Sequence, residues 1–203
     1  MKYLKMLGLA AVSTMALMAF VGASTASATT LEISGVTTNS SVTIKASLQS
    51  GFATFLKSTS GGVQNACLES QLHGNTSSPY TASHIGGPLT EHGGSSPTAG
   101  LSFNSCTRSV TVDDPGTLTI EHITGTTKGT VYSQDTTVRW EAPFLGYILC
   151  RTHEKEHIGT LTGIAAGTAT LHINTVLDCG ALPSAKWEAI YTVTSPEGLG
   201  VSA

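Results

Sequence analysis

Thr170-Leu171-His172-Ile173-Asn174 sets two apolar residues between polar ones, a period of two. Trp187 to Thr194 (WEAIYTVT) follows it, rich in aromatic and β-branched residues. A strand turns successive side chains to opposite faces, so this alternation predicts half-buried strands. The pattern recurs upstream at Leu31-Glu32-Ile33, at Ser41 to Ala46 (SVTIKA) and at Thr117-Leu118-Thr119-Ile120. Gly, Asn, Asp and Pro separate the runs, and Asp113-Asp114-Pro115-Gly116 has the composition of a turn. Helical periodicity is hard to find after residue 29. The expected class is all-β: an antiparallel β-sandwich or a barrel-like fold of short strands.

The first 28 residues carry a different signal. Lys2 and Lys5 precede an apolar run from Met6 to Gly22, and Ala26-Ser27-Ala28 has the A-x-A form of a cleavage site. A signal peptide over residues 1–28 is expected, with the mature chain starting at Thr29. No later segment is long and apolar enough to suggest a membrane span. The barrel of an outer membrane would need longer strands and aromatic girdles, and aromatics are only 6% of this chain.

The mature part, residues 29–203, suits one β domain, or two packed halves. Without Lys2 and Lys5, eight basic residues stand against 13 acidic ones, a net of −5. No basic cluster exists, which excludes a nucleic-acid partner. Ser and Thr supply 49 residues of the mature part, so they must cover much of the surface that charges usually cover. Residues 73–100 are rich in Gly, Pro and Ser and predict a long irregular loop or a linker. His73, His84 and His92 fall in it, spaced too widely for a ligand set, and are expected to be solvated. Asn39-Ser40-Ser41 and Asn75-Thr76-Ser77 are glycosylation sequons, relevant only in a host that uses them.

Four cysteines, Cys67, Cys106, Cys150 and Cys179, follow the leader. None lie at metal-ligand spacing, and an even count in an exported chain predicts two disulfides. Among three connectivities the local pairs Cys67–Cys106 and Cys150–Cys179 are favoured.

Residues 153–157 spell His-Glu-Lys-Glu-His, the H-E-x-x-H signature of zinc hydrolases. There His153 and His157 would bind the metal and Glu154 would polarise its water, which requires one helical face. The flanks argue against a helix. Phe144 to Cys150 begins with a short apolar run that suits a buried strand, and Ile158 to Gly163 alternates with two glycines. The extended zincin pattern fails, since Thr160 and Gly163 stand where Gly and His are needed. Glu188 and His172, the remaining candidates for a third ligand, lie in strand-like runs. The segment is therefore expected to be a charged hairpin tip, with no cofactor and no catalytic residue.

That expectation constrains the second disulfide. A tip at Lys155 would set Cys150 opposite Thr160, and a turn near Ala165-Ala166 would set Thr160 opposite Leu171. Cys179 would then lie eight residues on, roughly 27 Å away at strand rise. The bond would require the strand from Thr168 to bend or change sheet near Asn174.

The segments GTLTGIAAGTATLHINTVLDCG (159–180) and SAKWEAIYTVTSPEGLGV (184–201) resemble a group of small secreted bacterial proteins of unassigned function. In that group a signal peptide precedes a Thr/Gly-rich β domain with cysteine pairs. The resemblance covers most of the mature chain and is clearest from Trp187 to Val201. It implies a bacterial exported protein and carries over no catalytic residue. The expected function is a secreted or cell-envelope structural or binding module, non-enzymatic, with a protein or polymer partner at the cell surface. The alternative is a secreted zinc hydrolase acting through His153, Glu154 and His157.

Overall fold

The computed structural model of the chain describes residues 29–38, 42–58, 63–76, 89–90, 100–142, 146–163, 167–180 and 184–202. Among these residues there are strands and no helix. In chain order they are β1 (Thr30–Ile33), β2 (Val36–Thr37), β3 (Thr43–Leu48), β4 (Thr54–Ser58), β5 (Val63–Thr76), β6 (Leu89–Thr90), β7 (Gly100–Cys106) and β8 (Val110–Asp114). There follow β9 (Thr117–His122), β10 (Gly129–Gln134), β11 (Thr137–Ala142), β12 (Gly146–Arg151), β13 (Glu156–Thr162), β14 (Thr170–Leu177), β15 (Ala185–Ser195) and β16 (Leu199–Ser202). The strand pairings among the described residues are antiparallel, as the alternating pattern predicts.

Three long strands, each bent once, organise the middle of the chain. Strand β8 pairs with β11 and β9 with β10, so β8 and β9 follow one line. Likewise β10 and β11 pair in turn with β13 and β12. Residues 110–122, 129–142 and 146–162 therefore run side by side. Each leaves one sheet for another at a corner: Pro115–Gly116, Asp135–Thr136 and Thr152–Lys155. On one side is the three-stranded sheet β12-β11-β8, and on the other a ten-stranded sheet. Strands that switch sheets at a bend are a known way to build such corners.

Two sequence expectations fall here. Asp113 to Gly116 does not reverse the chain, and neither does His153 to His157. Cys150 lies opposite Val138, while Thr160 lies opposite Thr130 and His172. The local composition suits a reverse turn equally well. The difference is made by the partner strands, which continue past the bend.

The corner is held by buried hydroxyls. Ser133, Thr136 and Thr152 are each at most 2% exposed. Thr136 Oγ1 donates to the Pro115 carbonyl at 2.7 Å. Ser133 Oγ lies 2.6 Å from Thr136 Oγ1 and 3.0 Å from Thr152 Oγ1. With the Thr136 proton committed, each contact receives one donor if Thr152 donates to Ser133 and Ser133 to Thr136. Gly116 has φ +65, and a Cβ there would stand 2.2 Å from the Gln134 carbonyl oxygen. Only glycine fits that close approach.

The larger sheet closes on itself in the order β14-β13-β10-β9-β6-β5-β3-β15, returning to β14 through the eight-pair β14–β15 ladder. This realises the barrel-like form. Strand β4 continues the row of β3 between β5 and β15, after an excursion over residues 49–53. Strands from both sides of residue 77 thus share one sheet.

Alternation decides what faces inward. Along β15, Ala185, Trp187, Ala189, Tyr191 and Val193 are buried, and Lys186, Glu188, Ile190 and Thr192 between them are not. Burying side chains the size of Trp187 or Leu177 contributes about 2–3 kcal/mol each. The two interior polar groups on β15 find partners. Trp187 Nε1 donates to Thr54 Oγ1 at 3.1 Å. Ser70 Oγ donates to the Ser102 carbonyl at 2.7 Å and receives the Tyr191 hydroxyl at 2.8 Å. Burial pushes the Tyr191 phenol well above its ordinary range. The three-stranded sheet β16-β1-β2 packs near the end of β9, where Thr29 Oγ1 accepts the His122 amide at 2.9 Å.

Both favoured disulfides are present. Cys67 and Cys106 are direct partners across β5 and β7, with Cα atoms 3.8 Å apart. Cys150 and Cys179 have Cα atoms 4.0 Å apart. The expected bend near Asn174 does not occur, because β14 pairs with β15 without a break. It is the opposite strand that changes sheet, at 152–155. This brings Arg151 opposite Asp178, where they exchange backbone hydrogen bonds of 2.8 and 3.0 Å.

The 73–100 expectation is partly corrected. Strand β5 runs on to Thr76, and β6 at Leu89–Thr90 pairs with it. His73 is accordingly a strand residue. His84, His92, the Asn39 sequon and the expected leader 1–28 lie outside the described residues.

Candidate functional site

The 153–157 segment does not assemble the chemistry its letters suggest. His153 sits at the corner and His157 in β13, so they do not share a helical face. His153 Nε2 is 2.7 Å from Asp178 Oδ2, and its amide donates to Glu156 Oε2 at 3.1 Å. Asp178 is held below the usual carboxylate range, first by that His153 contact and then by the Gly180 amide. His157 Nε2 instead donates to the Gly159 carbonyl at 3.0 Å, and its ring stands edge-on to Tyr132 with centroids 5.9 Å apart. Lys155, with φ 46, lies 5.1 Å from the Tyr132 ring centre and pairs with Glu121 at 2.5 Å. The Glu121 hydrogen bond raises the Lys155 ammonium above its ordinary range. Glu154 is exposed. Among the described residues no three His, Cys, Asp or Glu side chains converge as a metal would require.

Of the other candidates, Asp113 forms an exposed ion pair with Arg139 at 2.6 Å. Asp114 Oδ1 accepts the Gly116 amide at 2.9 Å and so shapes the corner. His73 borders a cavity of about 20 Å³, room for one water, together with Leu72, Gly100, Gly116 and Trp187. Its Nε2 is buried with no partner among the described residues. Burial, followed by the charge of Lys45, keeps His73 below its ordinary range.

The feature that offers a ligand room is elsewhere, on the outer face of β4, β15 and β14. An open groove of about 340 Å³ lies there, lined by Phe52, Phe55, His172, Asn174, Glu188 and Ile190 among others. Register explains the set. Glu188 stands between Phe55 on one side and Asn174 on the other, and Ile190 stands opposite His172. The wall comes from the 49–53 excursion. Its turn is closed by the Phe52 amide donating to the Gln49 carbonyl at 3.1 Å, with Gly51 at φ +82. A turn with positive φ at its third residue favours glycine there. Phe52, the last residue of the turn, is left 47% exposed beside the groove.

The carboxylate in the groove is compensated. Glu188 pairs with Lys186 at 2.6 Å and with Lys57. Those two contacts, Lys186 first, hold the Glu188 carboxyl below its ordinary range. Lys57 also lies 5.0 Å from the Phe55 ring centre. Nothing in the sequence marks Phe52, Phe55, Asn174 and Ile190 as a site, and Glu188 and His172 stand out in it only as metal-ligand residue types. No motif spans three separate segments. The one local hint was an aromatic residue directly after Ser50-Gly51.

No protein-family model matches the chain, and no curated protein or solved structure matches it.

Proposed function

We propose that the chain is an exported bacterial binding module of the cell envelope, non-enzymatic, whose outer-face groove holds a segment of a neutral, hydroxyl-rich polymer. The groove at Phe52 and Phe55 carries this reading. Its size falls within the range of small-ligand sites, and it combines apolar and aromatic surface with a few polar groups, as such sites do. Aromatic rings offer flat apolar faces to a sugar ring, while Asn174, His172 and Glu188 offer hydrogen bonds to hydroxyls. Because Glu188 is already paired with two lysines, a cationic ligand would gain little from it. The groove is open to solvent, which suits a chain that continues past the site. Two disulfides support export to an oxidising compartment.

The test is calorimetric titration with soluble neutral glycans, and co-sedimentation with insoluble ones. Binding that falls at least tenfold in Phe52→Ala, with the fold intact, is the expected result. Failure of every neutral glycan, or binding indifferent to Phe52, would overturn the reading.

A further inference from the structure

The register around β15 sets the direction of the groove. Strand β15 forms the floor, with Glu188 and Ile190 on its outer face. On one side stand β4 and the excursion before it, which supply Phe55 and Phe52. On the other side stands β14, with Asn174 opposite Glu188 and His172 opposite Ile190. The two aromatic residues thus share one wall and the two polar residues the other. The cleft between them runs along β15 rather than across the strands. A chain laid in it follows a strand and does not have to wrap around the closed sheet.

The outer face differs beyond the two ends. Past Glu188 the next outward residues are Lys57, Lys186 and Val176, aligned across β4, β15 and β14. Both ammonium groups pair with the Glu188 carboxylate. A neutral chain passing there would take ion-paired charges out of water, which is costly. Past Ile190 the next outward residues are Ser47, Thr192 and Thr170, aligned across β3, β15 and β14. All three are half-buried and uncharged. The Ser47 and Thr192 hydroxyls have no side-chain hydrogen bond among the described residues. A hydroxyl both donates and accepts, so this row exchanges water for sugar hydroxyls at little cost.

We infer that the polymer lies along β15 and leaves the groove at the Ile190 end, over a subsite made by Ser47, Thr170 and Thr192. The inference rests on the groove being the binding site. From Glu188 to Thr192 the track covers four strand steps, roughly 14 Å at strand rise. A ligand confined to the groove misses the last part of it, so affinity grows with chain length.

Calorimetric titration with cello-, malto- and N-acetylchito-oligosaccharides, each as dimer and hexamer, tests this. In a series that binds, the hexamer is expected to bind at least tenfold more tightly than the dimer. Ser47→Ala combined with Thr192→Val removes both free hydroxyls. It is expected to weaken the hexamer at least threefold and to leave the dimer unchanged, with the circular dichroism of the parent. Val176→Ala, beyond the other end, is expected to change neither. Equal affinity for dimer and hexamer, in a parent that still needs Phe52, would overturn the track and leave the groove reading standing. A hexamer weakened by Val176→Ala and not by the hydroxyl variant would overturn its direction. Failure of every series, dimer and hexamer alike, would count against the groove reading itself and take the track with it.

Discussion

Thr136 and Thr152 hold the sheet corner between them. The Thr152 amide donates to the Thr136 carbonyl at 2.9 Å, and the Thr136 amide donates to Thr152 Oγ1 at 3.0 Å. Thr152→Val keeps the shape and deletes the hydroxyl, leaving the Thr136 amide and Ser133 Oγ each short of a partner in a buried place. The expected cost is about 1–3 kcal/mol. Thr152→Ser retains the hydroxyl and is expected to lose well under half of that. Urea denaturation of the two variants makes the comparison.

Gly116→Ala should be harsher than a glycine substitution at an open turn. The added methyl would meet the Gln134 carbonyl and the Thr136 amide at 2.2 and 2.5 Å, with φ at +65. A loss of roughly 2–3 kcal/mol is expected, at the upper end for single changes. Gly125→Ala, also at positive φ but with nothing within 4 Å, serves as the control and is expected to lose less.

The disulfides close loops of 39 and 29 residues by sequence separation. Chain entropy alone gives each about 4 kcal/mol. Removing Cys150 and Cys179 together by alanine should lower stability by that order, measured by guanidinium melts. Non-reducing peptide mapping is expected to recover Cys67 with Cys106 and Cys150 with Cys179.

Glu188 gives a pH signature. Its carboxyl lies below the ordinary value of 4.5 in the folded chain. A depressed carboxylate stabilises the fold above the unfolded value and loses that contribution as pH falls through the folded one. Glu188→Gln lacks this term, so its stability should fall less steeply than the parent's between about pH 5 and about pH 3. Thermal melts across that range check the slope.

His153→Ala and His157→Ala, singly or together, are expected to leave the metal content of the purified protein unchanged. Their contacts to Asp178 and to Gly159 are partly or largely exposed, so neither variant is expected to shift the thermal melt measurably. Stoichiometric zinc that vanishes in the double variant would contradict this.

The strands were legible because burial on one face imposes a period of two, visible at 170–174 and 187–194. The corners were not. Pro115-Gly116 satisfies a reverse turn and a sheet switch equally, and only the pairing of β8 with β11 and β9 with β10 decides. The same blindness turns 153–157 into a hairpin tip and makes the Cys150–Cys179 bond require a bend near Asn174, although its members are correctly paired. The run from Phe144 to Cys150 reads as a buried strand because the sequence does not say which strand lies at an edge. The groove was hidden for a related reason: Phe52, Asn174 and Ile190 become neighbours only when the ring closes.

The pairing of β1 with β16 has a mechanical consequence. Thr30 lies opposite Ser202 and Ile33 opposite Leu199, so both ends of the described chain leave the ladder at the same point. A load applied between those ends would peel the two strands apart rung by rung rather than shear them. The first part of the molecule to yield under tension would be this small sheet, while the disulfide-braced ring behind it bears none of the strain until the peel is complete.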